Sequence, residues 1–264
     1  MVPMLFAALY RLEFALGLTP VKPERAMTEL LTAPPEGKKT RDNDPAHFRH
    51  ATYYINLDHP AVRDFAGDRT RGARTDVDKA IRLFYAVRDE IRYDPYSLRY
   101  GPEFYRASYT LEQKVGWCVP KGVLMTALCR SAGLSARPGY ADVRNHLTSP
   151  RLMDLMGTDI FSYHGYVEIW LNGRWVKATP VFDKALCQRF RVVPQEFDGG
   201  KDSLFQQFDA DGRRHMEYVK DHGPYDDLPL KEIMDDFAWR YPKYSERQRQ
   251  GQLKGDFAAE AKPV

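Results

Sequence analysis

The sequence has little cysteine: three residues in 264, Cys118, Cys129 and Cys187, with no CxxC pair among them. So small and uneven a set cannot staple a chain of this length, and it points to a reduced, cytoplasmic setting. An excess of charge of one sign is also lacking, since 39 Lys plus Arg face 36 Asp plus Glu for a formal net charge of +3. The signs are interleaved without a basic stripe, so nucleic acid is not an expected partner. No apolar run is long enough to cross a bilayer. The uncharged stretch Met1–Tyr10 has no basic segment before it and is followed by Arg11 and Glu13, so neither a membrane span nor a signal peptide is expected. A glycine-rich phosphate loop and a dinucleotide fingerprint are missing, and no cofactor is expected. His47, His50 and His59 lie close together, but no cysteine or carboxylate completes a ligand set at a familiar spacing, and no metal is expected. Asp209-Ala210-Asp211-Gly212 lacks the later ligands of a calcium loop and reads as a hairpin turn.

What is present suffices for a core: 43% hydrophobic and 13% aromatic residues, in a length that suits one large domain or two small ones. Three regions are expected: residues 1–45 as an N-terminal helix and linker, 46–241 as the main domain, and 242–264 as a polar, frayed tail. Leu5, Leu9, Leu12 and Leu16 recur at helical spacing before Gly17 and Pro20, and Met27 is an alternative start. Pro34, Pro35, Gly37 and Pro45 mark the linker. Aromatic and β-branched content predicts a strand over 50–57, followed by a short helix over 60–65. Thr75, with Asp78 three residues on, predicts the N-cap of a helix whose apolar face includes Ala80, Ile81, Phe84, Val87 and Ile91, and which ends near Tyr93 ahead of Pro95. A second helix is predicted over 119–132, closed by Gly133, and a strand over 136–143. Alternation on either side of Asn172-Gly173 predicts a hairpin with a two-residue type I′ turn. A second hairpin over 204–219 and a helix over 230–241 complete the domain.

Cys118, in Gly116-Trp117-Cys118-Val119-Pro120, stands at the first turn of the second helix. Unpaired backbone N–H groups and the positive end of the helix dipole favour a thiolate there, which suits a nucleophile. Cys129, inside the packed helix, and Cys187, in a loop, read as inert. His164 begins the first hairpin strand and shares a face with Tyr166, Glu168 and Trp170. The Asn172-Gly173 turn sets a register that pairs Leu171 with Arg174, Glu168 with Lys177, and His164 with Val181. Thr179 and Asp183 then fall on the two diagonals of His164, within side-chain reach if the strand persists. A Cys–His–acid arrangement is thus geometrically available. Glu168 and Lys177 are expected to form a cross-strand ion pair. The N–H of Cys118 is the nearest donor for a developing oxyanion, with Tyr109, Gln113 and Trp117 as side-chain candidates. His146 and His215 are alternative bases.

Ala80 to Pro95, Gly116-Trp117-Cys118, the helix end from Arg130 to Arg137, and His164-Gly165-Tyr166-Val167-Glu168 with Gly173-Arg174-Trp175 occur in an order that resembles the transglutaminase-like superfamily. The resemblance covers about residues 74–183. It implies an α+β fold, papain-like in its core, with the cysteine opening a central helix packed on an antiparallel sheet that carries the histidine. Cys118 would then be the nucleophile, and His164 the general base and later the general acid. The sequence departs at the third position, where the family usually has an aspartate four residues after the tryptophan of the second strand; here that residue is Thr179. Threonine can hydrogen-bond an imidazole but does not stabilise an imidazolium as a carboxylate does. Asp183 is the expected orienting acid, ahead of Thr179, with Pro180 between them able to bulge the ladder.

The expected activity is that of a cysteine-dependent hydrolase or acyltransferase acting on a peptide or protein amide through a thioester. Hydrolysis and transfer share the first half-reaction, and the sequence leaves the second open. Trp117, Tyr163, Tyr166 and Trp170 suit a peptide-like substrate, as they also suit a packed sheet. The alternative is a non-catalytic binding or assembly module with a degraded triad, favoured by Thr179. An acyl-CoA-dependent amine acetyltransferase is a third reading. The oligomeric state is not legible.

Overall fold

The computed structural model describes residues 34–146, 148–204, 212 and 216–260. The N-terminal helix expected over 5–16 and most of the hairpin expected over 204–219 lie outside the described residues. The stretch 50–57 is irregular rather than a strand. Tyr54 and Ile55 are fully buried, but their backbone is satisfied locally: Ile55 N–H donates to Thr52 Oγ1 at 3.2 Å and Thr52 N–H to Ile55 O at 3.3 Å. Strand-like composition serves burial here without a ladder.

Helix α1 (Pro60–Thr70) opens with proline at its first turn and runs further than expected. Helix α2 (Asp76–Glu90) begins as predicted, with the Thr75 hydroxyl accepting the Asp78 N–H at 3.0 Å. Strand β1 (Arg92–Tyr93) follows it, and helix α3 (Ala107–Gln113) precedes strand β2 (Val115–Gly116). β1 and β2 pair in parallel, Tyr93 opposite Gly116. Helix α4 (Cys118–Ser131) comes next, and every residue from Cys118 to Arg130 is buried. A helix without a polar face belongs at the centre of a fold. Helices α1, α2 and α3 pack on α4, and so does a sheet. Each large apolar side chain it buries, such as Val123, Leu124 and Leu128, contributes about 1.5–3 kcal/mol.

That sheet is antiparallel, with strands β3 (Ala136–Asn145), β4 (Ile160–Leu171), β5 (Arg174–Ala178) and β6 (Met216–Pro224) in the order β5-β4-β3-β6. Helix α5 (Pro150–Met156) lies between β3 and β4, and helix α6 (Lys184–Phe190) follows β5. Asn172 and Gly173 both have positive φ, at 50° and 81°, as a type I′ turn requires. The predicted register holds, with Leu171 opposite Arg174 and Glu168 opposite Lys177.

The expected Glu168–Lys177 ion pair does not form. Glu168 also faces Arg137 on β3 and accepts from its guanidinium at 2.7 Å, while Lys177 reaches Asp221 on β6 at 2.8 Å. Arg137 is the better partner because its guanidinium also lies 4.1 Å from the Trp175 ring centroid, and a planar cation stacks as well as pairs.

Helices α7 (Leu230–Arg240) and α8 (Pro242–Arg249) and a 3₁₀ turn at Phe257–Glu260 close the described chain. The residues from Pro242 were expected to fray. Instead Tyr244 is buried and donates its hydroxyl to Pro95 O, and the Phe257 ring stacks on Phe190 at 5.1 Å. Among the described residues no helix is long and apolar enough to cross a membrane. Mixed helices and a curled antiparallel sheet give the expected α+β class.

Candidate active site

Helix α4 opens at Cys118 after Trp117, whose side chain makes no capping hydrogen bond. First-turn N–H groups are therefore available to the sulfur. The backbone N–H groups of Gly165, Val119 and Cys118 itself lie near the sulfur and favour its thiolate. Burial outweighs them: Cys118 is only 6% exposed, and loss of water pushes its thiol up to about 12. The depressed thiol pKa expected from the helix end alone is thus reversed in the resting site.

His164 lies on β4 opposite Ala141 and is 1% exposed. Its chain neighbour Gly165 is pressed against α4, where a Cβ would sit 2.9 Å from Cys118 O and 3.3 Å from Val119 Cα. Glycine in a strand interior marks such a close backbone approach, and this signal was readable in the sequence. The residue before His164 is unusual as well. Tyr163 has φ of 49°, a left-handed conformation that costs a bulky residue about 1–2 kcal/mol.

The surroundings of Tyr163 hold it there. Its N–H donates to Asp142 Oδ1 at 3.1 Å, its hydroxyl to Glu232 at 2.6 Å, and its ring stacks on His222 at 4.2 Å. Asp142 occupies a bulge where pairing jumps from Ala141–His164 to Val143–Phe161, and its Oδ1 also bonds His222 Nε2 at 2.7 Å. Burial would raise the Asp142 carboxyl, but the bonds from His222 and Tyr163 hold it below its ordinary range. Nothing in the residue pattern announced this bulge.

Asp183 does not extend the hairpin. The ladder stops at Val167–Ala178, because Pro180 supplies no N–H and Val181 N–H turns back to Thr179 O at 3.0 Å. Asp183 instead caps α6, accepting from Leu186 N–H at 2.9 Å through Oδ1 and from Tyr93 N–H at 3.2 Å through Oδ2. Both oxygens of the expected orienting acid are engaged by backbone. Thr179 is 4% exposed, and its hydroxyl has no hydrogen-bond partner among the described residues.

Lys121, one turn beyond Cys118, was missed. It is fully buried and donates Nζ to Arg88 O at 3.1 Å and to Ile91 O at the C-terminal end of α2. Burial pushes its ammonium down to about 7.

The remaining candidates are dispersed. His146 pairs with Glu217 at 3.4 Å, and His215 lies outside the described residues. Cys187 sits in α6 rather than in a loop, Cys129 is buried within α4, and none of the three cysteines is disulfide-bonded. Among the described residues no group of three or more His, Cys, Asp or Glu could hold a metal ion.

Cys118 forms part of the wall of a pocket of about 440 Å³, beside Tyr93, Trp117, Phe161, Phe237 and Tyr244, and no charged residue lines it. Trp117 also borders a second pocket, about 400 Å³, together with Tyr109 and Gln113. Of the side-chain oxyanion candidates only Trp117 borders the Cys118 pocket, while Tyr109 and Gln113 line the separate one.

Residues 63–180 match the Transglutaminase-like superfamily. The match covers less than half of the chain. The transglutaminase-like core thus runs from α1 through β5 and contains Cys118, His164 and Thr179, while α7 and α8 lie beyond it. No curated protein matches the chain. Among solved structures, a "putative cysteine protease" from Cytophaga hutchinsonii aligns at 19% identity and a TM-score of 0.41, over 53% of this chain and 42% of that one. A "putative protease" from Parabacteroides distasonis aligns at 12% identity and a TM-score of 0.32, over 48% of this chain and 26% of that one. The aligned core spans less than half the length of either neighbour.

Proposed function

We propose that this protein is a cysteine-dependent hydrolase of amides or related acyl compounds, with Cys118 as nucleophile, His164 as general base and acid, and Thr179, whose hydroxyl has no partner among the described residues, turning to orient the imidazole during turnover. The observation that carries the reading is the meeting of helix and strand at the sulfur. Cys118 opens the buried helix α4, whose first turn is pressed against Gly165, the residue next to His164.

Because burial keeps the resting thiol protonated, His164 takes the Sγ proton as sulfur attacks the carbonyl carbon. The C–N bond then breaks, the imidazolium passes its proton to the departing amine, and a thioester remains on Cys118. Water attacks that thioester, His164 again moves the proton, and the acid and the thiol are released. The N–H groups around the sulfur are placed to receive the developing oxyanion. A neutral third member suffices to orient the ring, as asparagine does in papain-like triads. The three cysteines without a disulfide support a reducing, cytoplasmic compartment.

Acid-quenched reaction with p-nitrophenyl acetate, read by peptide mass spectrometry, tests this assignment. An acetyl group is expected on the peptide containing Cys118, absent in Cys118→Ala and formed about 10²- to 10⁴-fold more slowly in His164→Ala. A second reading, a binding module that keeps the fold without turnover, is favoured by Thr179 at the acidic position and by the closed thiol. A folded wild-type protein that acquires no adduct supports it and removes the first.

A further inference from the structure

We propose that the pocket at Cys118 selects acyl donors carrying a large uncharged side chain, aromatic or branched aliphatic. The inference rests on Cys118 as nucleophile and adds the substrate class. No charged residue lines the pocket, and three of its hydroxyls are engaged within the protein. The Tyr241 hydroxyl accepts from Ser162 N–H at 2.6 Å and donates to Ile160 O at 2.8 Å. Ser162 Oγ donates to Asp236 at 2.5 Å, and Tyr244 donates to Pro95 O. Rings and aliphatic side chains make up most of the wall that faces a ligand. A charged side chain entering here would lose its water without gaining a partner, whereas an apolar one gains in proportion to the area it buries.

The concavity of about 440 Å³ includes space open to solvent, so a side chain meets its apolar wall from the solvent side. Part of the apolar wall lies outside the matched segment. Phe237 comes from α7, Tyr241 from the junction between α7 and α8, and Tyr244 from α8, all beyond residue 180, and the Phe237 ring lies 5.5 Å from that of Trp117.

N-acetyl amino-acid p-nitrophenyl esters of Phe, Leu, Ala, Gln, Glu and Lys test the proposal, with kcat/KM corrected against Cys118→Ala and the Cys118 adduct followed by mass. Phe and Leu donors are expected to exceed Ala by about 10- to 100-fold, and Glu and Lys donors to fall below it. Phe237→Leu should lower the Phe-to-Ala ratio, and Met156→Glu should raise Lys relative to Phe. Each ratio is taken on one preparation, so a partly folded variant does not distort it. Equal kcat/KM across the series, or preference for Gln, Glu or Lys, with adducts forming, overturns the substrate class and leaves the nucleophile standing. No adduct from any donor overturns both.

Discussion

A hydroxyl at position 179 can hold an imidazole in one orientation through a single hydrogen bond, but it adds no charge to offset an imidazolium. Of the two candidates, Asp183 spends one oxygen on the α6 N-terminus and the other on Tyr93 N–H, whereas the Thr179 hydroxyl is unpartnered among the described residues. A carboxylate placed there would be buried and costly unless the imidazolium paired with it, so its benefit falls on the step where the imidazolium forms. Thr179→Asp is therefore expected to raise kcat for ester or amide hydrolysis by about tenfold with KM little changed. Thr179→Val keeps the shape and removes the hydroxyl. It should lower kcat while leaving the urea midpoint near wild type, since the hydroxyl has no partner among the described residues. An unchanged kcat in Thr179→Val, with only lost stability in Thr179→Asp, would show that residue 179 does not touch the imidazole.

Among the elements, those specified by local geometry were legible in the sequence. Thr75 capping α2, Gly133 beyond α4, and Asn172-Gly173 setting the β4–β5 register each act within a few residues, and each is found where spacing placed it. What was not legible depends on distant partners. The 50–57 stretch looks like a strand because Tyr54 and Ile55 are built for burial, yet Arg130 reaches His50 O from α4 at 2.8 Å and Ala107 N–H takes Tyr54 O at 2.9 Å. Asp183 reads as a strand residue only if Pro180 is ignored. Lys121 reads as a solvated helix residue, whereas it ties α4 to the end of α2. Its ammonium is pushed down to about 7 by burial, against about 10.4 in an unfolded chain. Below pH 7 both states hold the proton and the full cost of burying the charge is present. From pH 7 towards 10 the unfolded state binds more protons, so stability rises with pH. Compared with Lys121→Met, whose difference curve cancels the other titrating groups, the wild type should gain about 2–3 kcal/mol between pH 7 and 9 in urea unfolding. A flat difference would mean that the buried amine is not depressed.

At the scale of the whole molecule, the chain beyond the transglutaminase-like core supplies part of the wall that covers the sulfur. Tyr244 of α8 lines the Cys118 pocket, and Lys243 anchors the same helix to Asp154 at 2.6 Å. Further on, Phe257 packs 5.9 Å from Tyr93, and Glu260 accepts from Tyr96 at 2.9 Å and from Ser149 at 2.6 Å. Tyr93 in turn borders the pocket. Burial is the main cause of the raised thiol, now up to about 12. At pH 8 a thiol of that kind is ionised to only about 1 part in 10⁴, so iodoacetamide should label resting Cys118 far more slowly than an ordinary cysteine. Deleting residues 242–264 admits water, lowers the cost of the thiolate and brings the pKa back towards its ordinary value. Labelling of Cys118 at pH 8 should then speed up by about tenfold for each pKa unit recovered. Tyr244→Ala in the full chain should move the rate in the same direction by less, and a retained near-ultraviolet circular dichroism spectrum separates local opening from unfolding. If neither change alters the rate while the core stays folded, water is kept from the sulfur by α4 and β4 themselves, and the C-terminal helices serve only to shape the pocket wall.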